Sequence, residues 1–105
     1  MNIVELAKGL NAIYPTRYSH FVGKVGPPYI TYVDDGSENL VADNIVVEES
    51  NYFRIYLYTK IKDLQAERKI KDFLTENEIP YETDSMFFLE DKSLFVCTFS
   101  ITLIN

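Results

Sequence analysis

His20 follows Ser19 in "YSHF", a juxtaposition of base and hydroxyl that a hydrolase would use, and Cys97 is the single thiol of the chain. Nucleophilic catalysis needs a third group to orient the base and a strained turn that exposes the nucleophile. No G-x-S-x-G elbow and no obvious orienting acid accompany His20, so it reads as a structural or hydrogen-bonding histidine. Cys97 stands between Phe95 and Phe99 in a strand-like run, where a thiol behaves as a small hydrophobe. The acidic stretch "DDGSENLVAD" invites a calcium ion, but an EF-hand loop wants Gly at its sixth place and Glu at its twelfth. Counted from Asp34, those places hold Asn39 and Ile45. "GKVG" at residues 23–26 matches the G-x-x-G of an RNA-clamping loop, yet that motif joins two helices and Pro27-Pro28 oppose a following helix. No P-loop, dinucleotide fingerprint or H-E-x-x-H is present. These residues predict a protein that is not an enzyme and carries no catalytic group, metal or cofactor.

Recognition chemistry is the better prospect. "NYFRIYLYTK", read as a strand, places Phe53, Ile55 and Leu57 on one side and Tyr52, Arg54, Tyr56 and Tyr58 on the other. The first side is core. Tyrosines on a sheet can stack bases, but such platforms are ringed by cations, and only Arg54, Lys60 and Lys62 lie nearby. Tyr and Arg are also the residues enriched at the centres of protein interfaces. A wet row of good strand formers is the plain alternative. The reading adopted is a subunit interface built on Tyr52, Arg54, Tyr56 and Tyr58, widened by Tyr29 and Tyr32.

The elements that must position this face follow from periodicity. "IVELAKGLNAI" sets Ile3, Leu6, Leu10 and Ile13 at helical spacing, with Gly9 as a weak point and Pro15 as a limit. Strands are predicted at "TRYSHFV", from Tyr29, at "IVVEES" and at "NYFRIYLYTK", with a tight hairpin at Ser50-Asn51. Between the second and third strands, "DDGSENLVADN" reads as a polar loop with Gly36 and Asn39 as turn residues. Asp63 caps a charged helix whose face is Ala66, Ile70, Phe73, Leu74 and Asn77, and Pro80 ends it. A closing hairpin across "EDKS" puts Phe95, Cys97, Phe99, Ile101 and Leu103 on one face. The order α-β-β-β-β-α-β-β argues for an α+β fold, an antiparallel sheet with two helices on one face.

The 105 residues make one domain, of which roughly 65% of the unfolded surface is buried on folding. A net charge of −6 disfavours broad phosphate contact and an anionic membrane surface. No apolar run reaches the ~20 residues of a membrane span, and no cleavable signal opens the chain. One cysteine excludes an internal disulfide. Together these predict a soluble cytosolic protein.

In order along the chain, "YSHF" (18–21), "PPYITY" (27–32), "ADN" (42–44) and "NYFRIYLYTKIKD" leading into "IPYETDSMFF" resemble small proteins encoded among the head-to-tail joining and tail genes of phages and prophages of Gram-positive bacteria. The resemblance spans residues 14 to 100, and its specificity lies in the combination. It is to tail-completion or tail-terminator proteins, and it implies an α+β subunit that assembles as a ring, typically of six copies. The implied ring caps the tail tube and docks the head connector or closure protein. The implied location is the host cytoplasm during assembly and then the tail–head junction of the virion. The implied partners are the chain itself, the tail tube protein and the connector, with no membrane and no sequence-specific nucleic acid. Asp34, Asp35, Glu38 and Asp43 are the candidate contacts to tube or connector, on a loop that orders on docking. An α+β ligand-binding or regulatory domain, and a tyrosine-platform nucleic-acid module, are the competing expectations.

Overall fold

The computed structural model describes residues 1–42 and 45–104. Helix α1 (Ile3–Ile13) is followed by β1 (Thr16–Tyr18), β2 (Tyr29–Ala42), β3 (Ile45–Thr59), helix α2 (Leu64–Glu76), β4 (Tyr81–Leu89) and β5 (Leu94–Ile104). The strands form one sheet in the order β1-β2-β3-β5-β4, antiparallel throughout except that β1 runs parallel to β2. The α+β class stands.

Both helices begin where local chemistry predicts. The Asn2 side chain accepts from the Glu5 backbone N–H at 2.9 Å, and Glu5 returns the contact to the Asn2 N–H. Asp63 accepts from the Ala66 N–H at 3.0 Å. Leu6 and Leu10 of α1 join Ala66, Ile70 and Leu74 of α2 in a core that also takes Ile30, Phe53, Ile55, Leu57, Cys97, Phe99, Ile101 and Leu103 from one sheet face. Gly9 has a packing reason to be glycine. A methyl group there would fall 2.3 Å from the Phe73 ring, so the missing side chain is what lets the two helices approach.

The structure corrects three expected boundaries. There is no hairpin at Ser50-Asn51: Ser50 pairs with both Glu38 and Ile104, and Asn51 with both Ser37 and Leu103. Neither residue has the positive φ of a two-residue turn. The two predicted strands are therefore one strand of 15 residues. The predicted acidic loop is likewise strand as far as Ala42. Gly36, at φ +98°, serves a register shift between Asp34 and Ser37 instead of a reversal, and Asp34 Oδ1 accepts from the Gly36 N–H at 3.0 Å. Asp34, Asp35 and Glu38 thus belong to a ribbon; Asp43 lies outside the described residues. The first strand is also shorter than expected, because Ser19 turns into the left-handed region at φ 64°.

The result is an elongated molecule of 52 × 25 × 23 Å. Its radius of gyration, 14.9 Å, exceeds the roughly 13 Å of a spherical domain of this length. The outer parts of β2 and β3, residues 38–42 and 45–49, run past the rest of the sheet as a two-stranded arm, since among the described residues β1 pairs only with residues 30–32 of β2 and β5 only with residues 50–59 of β3.

Cys97 lies in the core as expected. Burial first, and then the Glu67 carboxylate beside it, push its thiol from 9.0 to about 11. The folded value lies above the unfolded one, so the neutral thiol's contribution to stability is complete below pH ~8.5–9 and is lost as pH rises towards the folded value. Two outcomes are expected. Iodoacetamide at pH 8 alkylates the folded chain at least about 100-fold more slowly than the urea-unfolded chain. Stability also falls on going from pH 9 to 11, by less in Cys97→Ala. Equal alkylation rates would place the thiol outside the core.

Candidate functional site

Side chains that pair across strands share a face, so the registers decide what the tyrosines meet. Tyr29 pairs with Tyr58, Thr31 with Tyr56 and Val33 with Arg54; on the other flank Val96, Thr98, Ser100 and Thr102 oppose Tyr58, Tyr56, Arg54 and Tyr52. All lie on the face turned away from the helices. Five of the six expected interface residues are therefore gathered there. Tyr32 is not: it pairs with Ile55, packs on the core and meets Tyr18 edge-on at 5.3 Å. Tyr32 lies three positions after Tyr29, and an odd spacing along a strand sends two side chains to opposite faces.

The centre of this face is aromatic and dense. The Tyr29 and Tyr58 rings stack at 4.6 Å, Tyr56 follows Tyr58 at 6.5 Å, and Phe21 meets Tyr29 edge-on at 5.3 Å. These rings cover Val96, Thr31 and Thr98, which are buried although they belong to the helix-free face. The Tyr29 phenol is pushed up, first by burial and then by Tyr58. Thr98 Oγ1 is buried without a hydrogen-bond partner among the described residues.

The two ends of the face differ in charge. At the arm end, Arg54 lies 3.4 Å from Asp35 and 3.9 Å from Asp84, and Asp84 accepts from the Ser100 hydroxyl. Glu82 pairs with Ser100 on the same face, and Glu38 stands near the Tyr52 phenol, which burial first and this carboxylate second push up. One guanidinium thus sits among four carboxylates, beside a hollow of about 430 Å³ lined by Asp35, Tyr52, Glu82, Ser100 and Thr102. At the other end, the loop after β1 folds over the sheet. His20, Phe21 and Lys24 face Tyr29, Tyr58 and Lys92 around a hollow of about 390 Å³. Arg17 lies 5.6 Å over the Phe21 ring on the same flank. Among the described residues, neither Lys24 nor Lys92 forms a salt bridge.

Asp84, Lys24 and Lys92 were not singled out by the sequence. Lys24 and Lys92 stand far apart in the chain and meet only because β2 and β5 flank β3. His20 is exposed and its Nδ1 lies 3.2 Å from Ser19 Oγ. No group of three potential metal ligands occurs, and no helix is long and apolar enough to cross a membrane, among the described residues.

Charge is distributed along the chain as unevenly as across this face. Residues 34–51 hold six of the sixteen acidic residues and none of the ten basic ones, which leaves ten of each in the remainder. The whole net charge of the chain therefore resides in the arm and the strand segment at its root. What this arrangement offers is recognition: stacking surface, phenol and threonine hydroxyls, and two oppositely charged ends. Compared with protein-family models and with curated proteins, the chain matches none.

Proposed function

We propose that the chain is a structural subunit of a long-tailed phage or prophage, which assembles as a ring, caps the tail tube and presents the surface on which the head connector docks. The observation that carries this reading is the polarity of the helix-free sheet face. A head-to-tail contact needs two different patches on each subunit, one to give and one to receive, and it closes into a ring when its rotation closes. Here an acidic end and a cationic end flank an aromatic centre on a single sheet face. Tyr29, Tyr52, Arg54, Tyr56 and Tyr58 supply the residue types that dominate interface centres. The residue combinations that resemble tail-completion proteins give the reading its biological setting.

The experiment is to incubate the purified protein with tail tubes that lack their terminal cap, followed by negative-stain microscopy and head joining. Tubes that end cleanly, stop growing and accept heads are the expected result. Tubes that ignore the protein, together with isolated connectors that bind it, would move the subunit to the connector side. Indifference of both would end the virion reading.

A further inference from the structure

We infer that the acidic β2–β3 arm of one subunit docks into the hollow between Lys24 and Lys92 of the next, an inference that rests on the ring reading above and names its subunit contact. Three observations converge. First, the arm and its root, residues 34–51, are charged with one sign only, while the rest of the chain is balanced. Asp34 and Asp35 at the root and Glu38 on the arm are exposed. Second, Lys24 and Lys92 are both exposed, line the same hollow, and form no salt bridge among the described residues. The stacked pair Tyr29–Tyr58 and the Phe21 ring at that hollow supply apolar contact and restrict water, which strengthens an ionic contact.

Third, the geometry excludes a subunit from filling its own hollow. Tyr58 lines the hollow, whereas Ser50 stands at the root of the arm on the same strand. A strand rises about 3.3 Å per residue, so the two lie roughly 26 Å apart along β3. The arm points onward from the sheet as the direct continuation of β2 and β3, away from the hollow. The occupant must be a second copy. Because giving and receiving ends lie at opposite ends of the same strands, each docked copy leaves one arm and one hollow free for the next. A two-stranded ribbon is marginal by itself, and docking supplies the third surface it lacks.

A charge swap tests this. One variant reverses the hollow, Lys24→Glu with Lys92→Glu; a second reverses the arm, Glu38→Lys with Glu48→Lys and Glu49→Lys, which takes its four carboxylates from −4 to a net +2. Lys24, Lys92 and Glu38 are exposed and Glu49 is half-buried, all four outside the core. Sedimentation velocity at low and high salt reads the outcome. The wild-type chain is expected to self-associate at about 0.05 M salt and to lose association near 1 M, where the Debye length falls to about 3 Å. Each variant alone weakens self-association by about 10-fold or more. A 1:1 mixture of the two restores it, because reversed arms meet reversed hollows and native arms meet native ones. Variants that assemble like the wild type, a mixture that stays monomeric, or a wild-type chain still monomeric at about 1 mM and low salt each overturn the pairing. Failures of the two readings separate cleanly. Charge-reversed chains that still cap tubes would remove the pairing and keep the tail role. Restored association without any effect on tubes would keep the pairing and remove the tail role.

Discussion

Phe99→Ala lowers the free energy of unfolding by about 3–5 kcal/mol, the cost of a lost ring plus the cavity it leaves. Phe99 is fully buried on β5, opposite Ile55 on one flank and Thr83 on the other, and meets the Tyr81 ring edge-on at 6.4 Å. It stands where both helices press on the sheet, so backbone on either side prevents collapse into the void. Domains of this size hold about 5–15 kcal/mol in total, and the loss lowers the midpoint of thermal unfolding by roughly 15–30 °C. Urea and thermal denaturation followed by circular dichroism measure it. Val22→Ala, at a residue 95% exposed, is the control and stays within about 0.5 kcal/mol of the parent. A Phe99 effect below about 1 kcal/mol would mean that the core is not centred on this residue.

Arg54 gives the second large effect, and it separates binding from folding. Arg54→Met keeps the aliphatic length of the side chain and removes the charge. The Arg54 side chain is two-fifths exposed, so its contacts to Asp35 and Asp84 contribute only about 0.2–1 kcal/mol each, and Nε is buried without a hydrogen-bond partner among the described residues. Stability of the methionine variant is therefore expected within about 1 kcal/mol of the parent, with tube capping at least about 10-fold weaker. Arg54→Glu goes further, because it sets a fifth carboxylate among Asp35, Glu38, Glu82 and Asp84. Capping is expected to fall by about 100-fold or more. Capping by Arg54→Met at the parental level would make the arginine a neutraliser of its own neighbours and would remove it from the interface.

The periodic elements were legible from residue types alone. Asp63 announces the start of α2 because capping is a contact within four residues, which sequence displays directly, whereas α1 is legible from the spacing of Ile3, Leu6, Leu10 and Ile13 and its Asn2–Glu5 cap emerges from the structure. The division of β3 into Phe53/Ile55/Leu57 and Tyr52/Arg54/Tyr56/Tyr58 needs only the two-residue repeat of a strand. Tyr32 was misplaced for want of the same rule, since parity with Ile30 already assigns it to the core side. Gly36 was harder to read, as a left-handed glycine serves a bulge and a reversal equally well. The cationic hollow could not be read at all. Lys24 and Lys92 become neighbours through the strand order, and that order is decided by long-range pairing.

Strand β3 has one further consequence. Its inner half, residues 50–59, is hydrogen-bonded on both flanks, to β2 and to β5, while among the described residues 45–49 pair only with β2. Free energies of local opening follow how much neighbouring structure must be broken. A single unbroken strand thus belongs to two cooperative units, one that opens only with the whole domain and one that opens by itself. Evolution can retune the outer unit, in sequence or in length, without taxing the inner one.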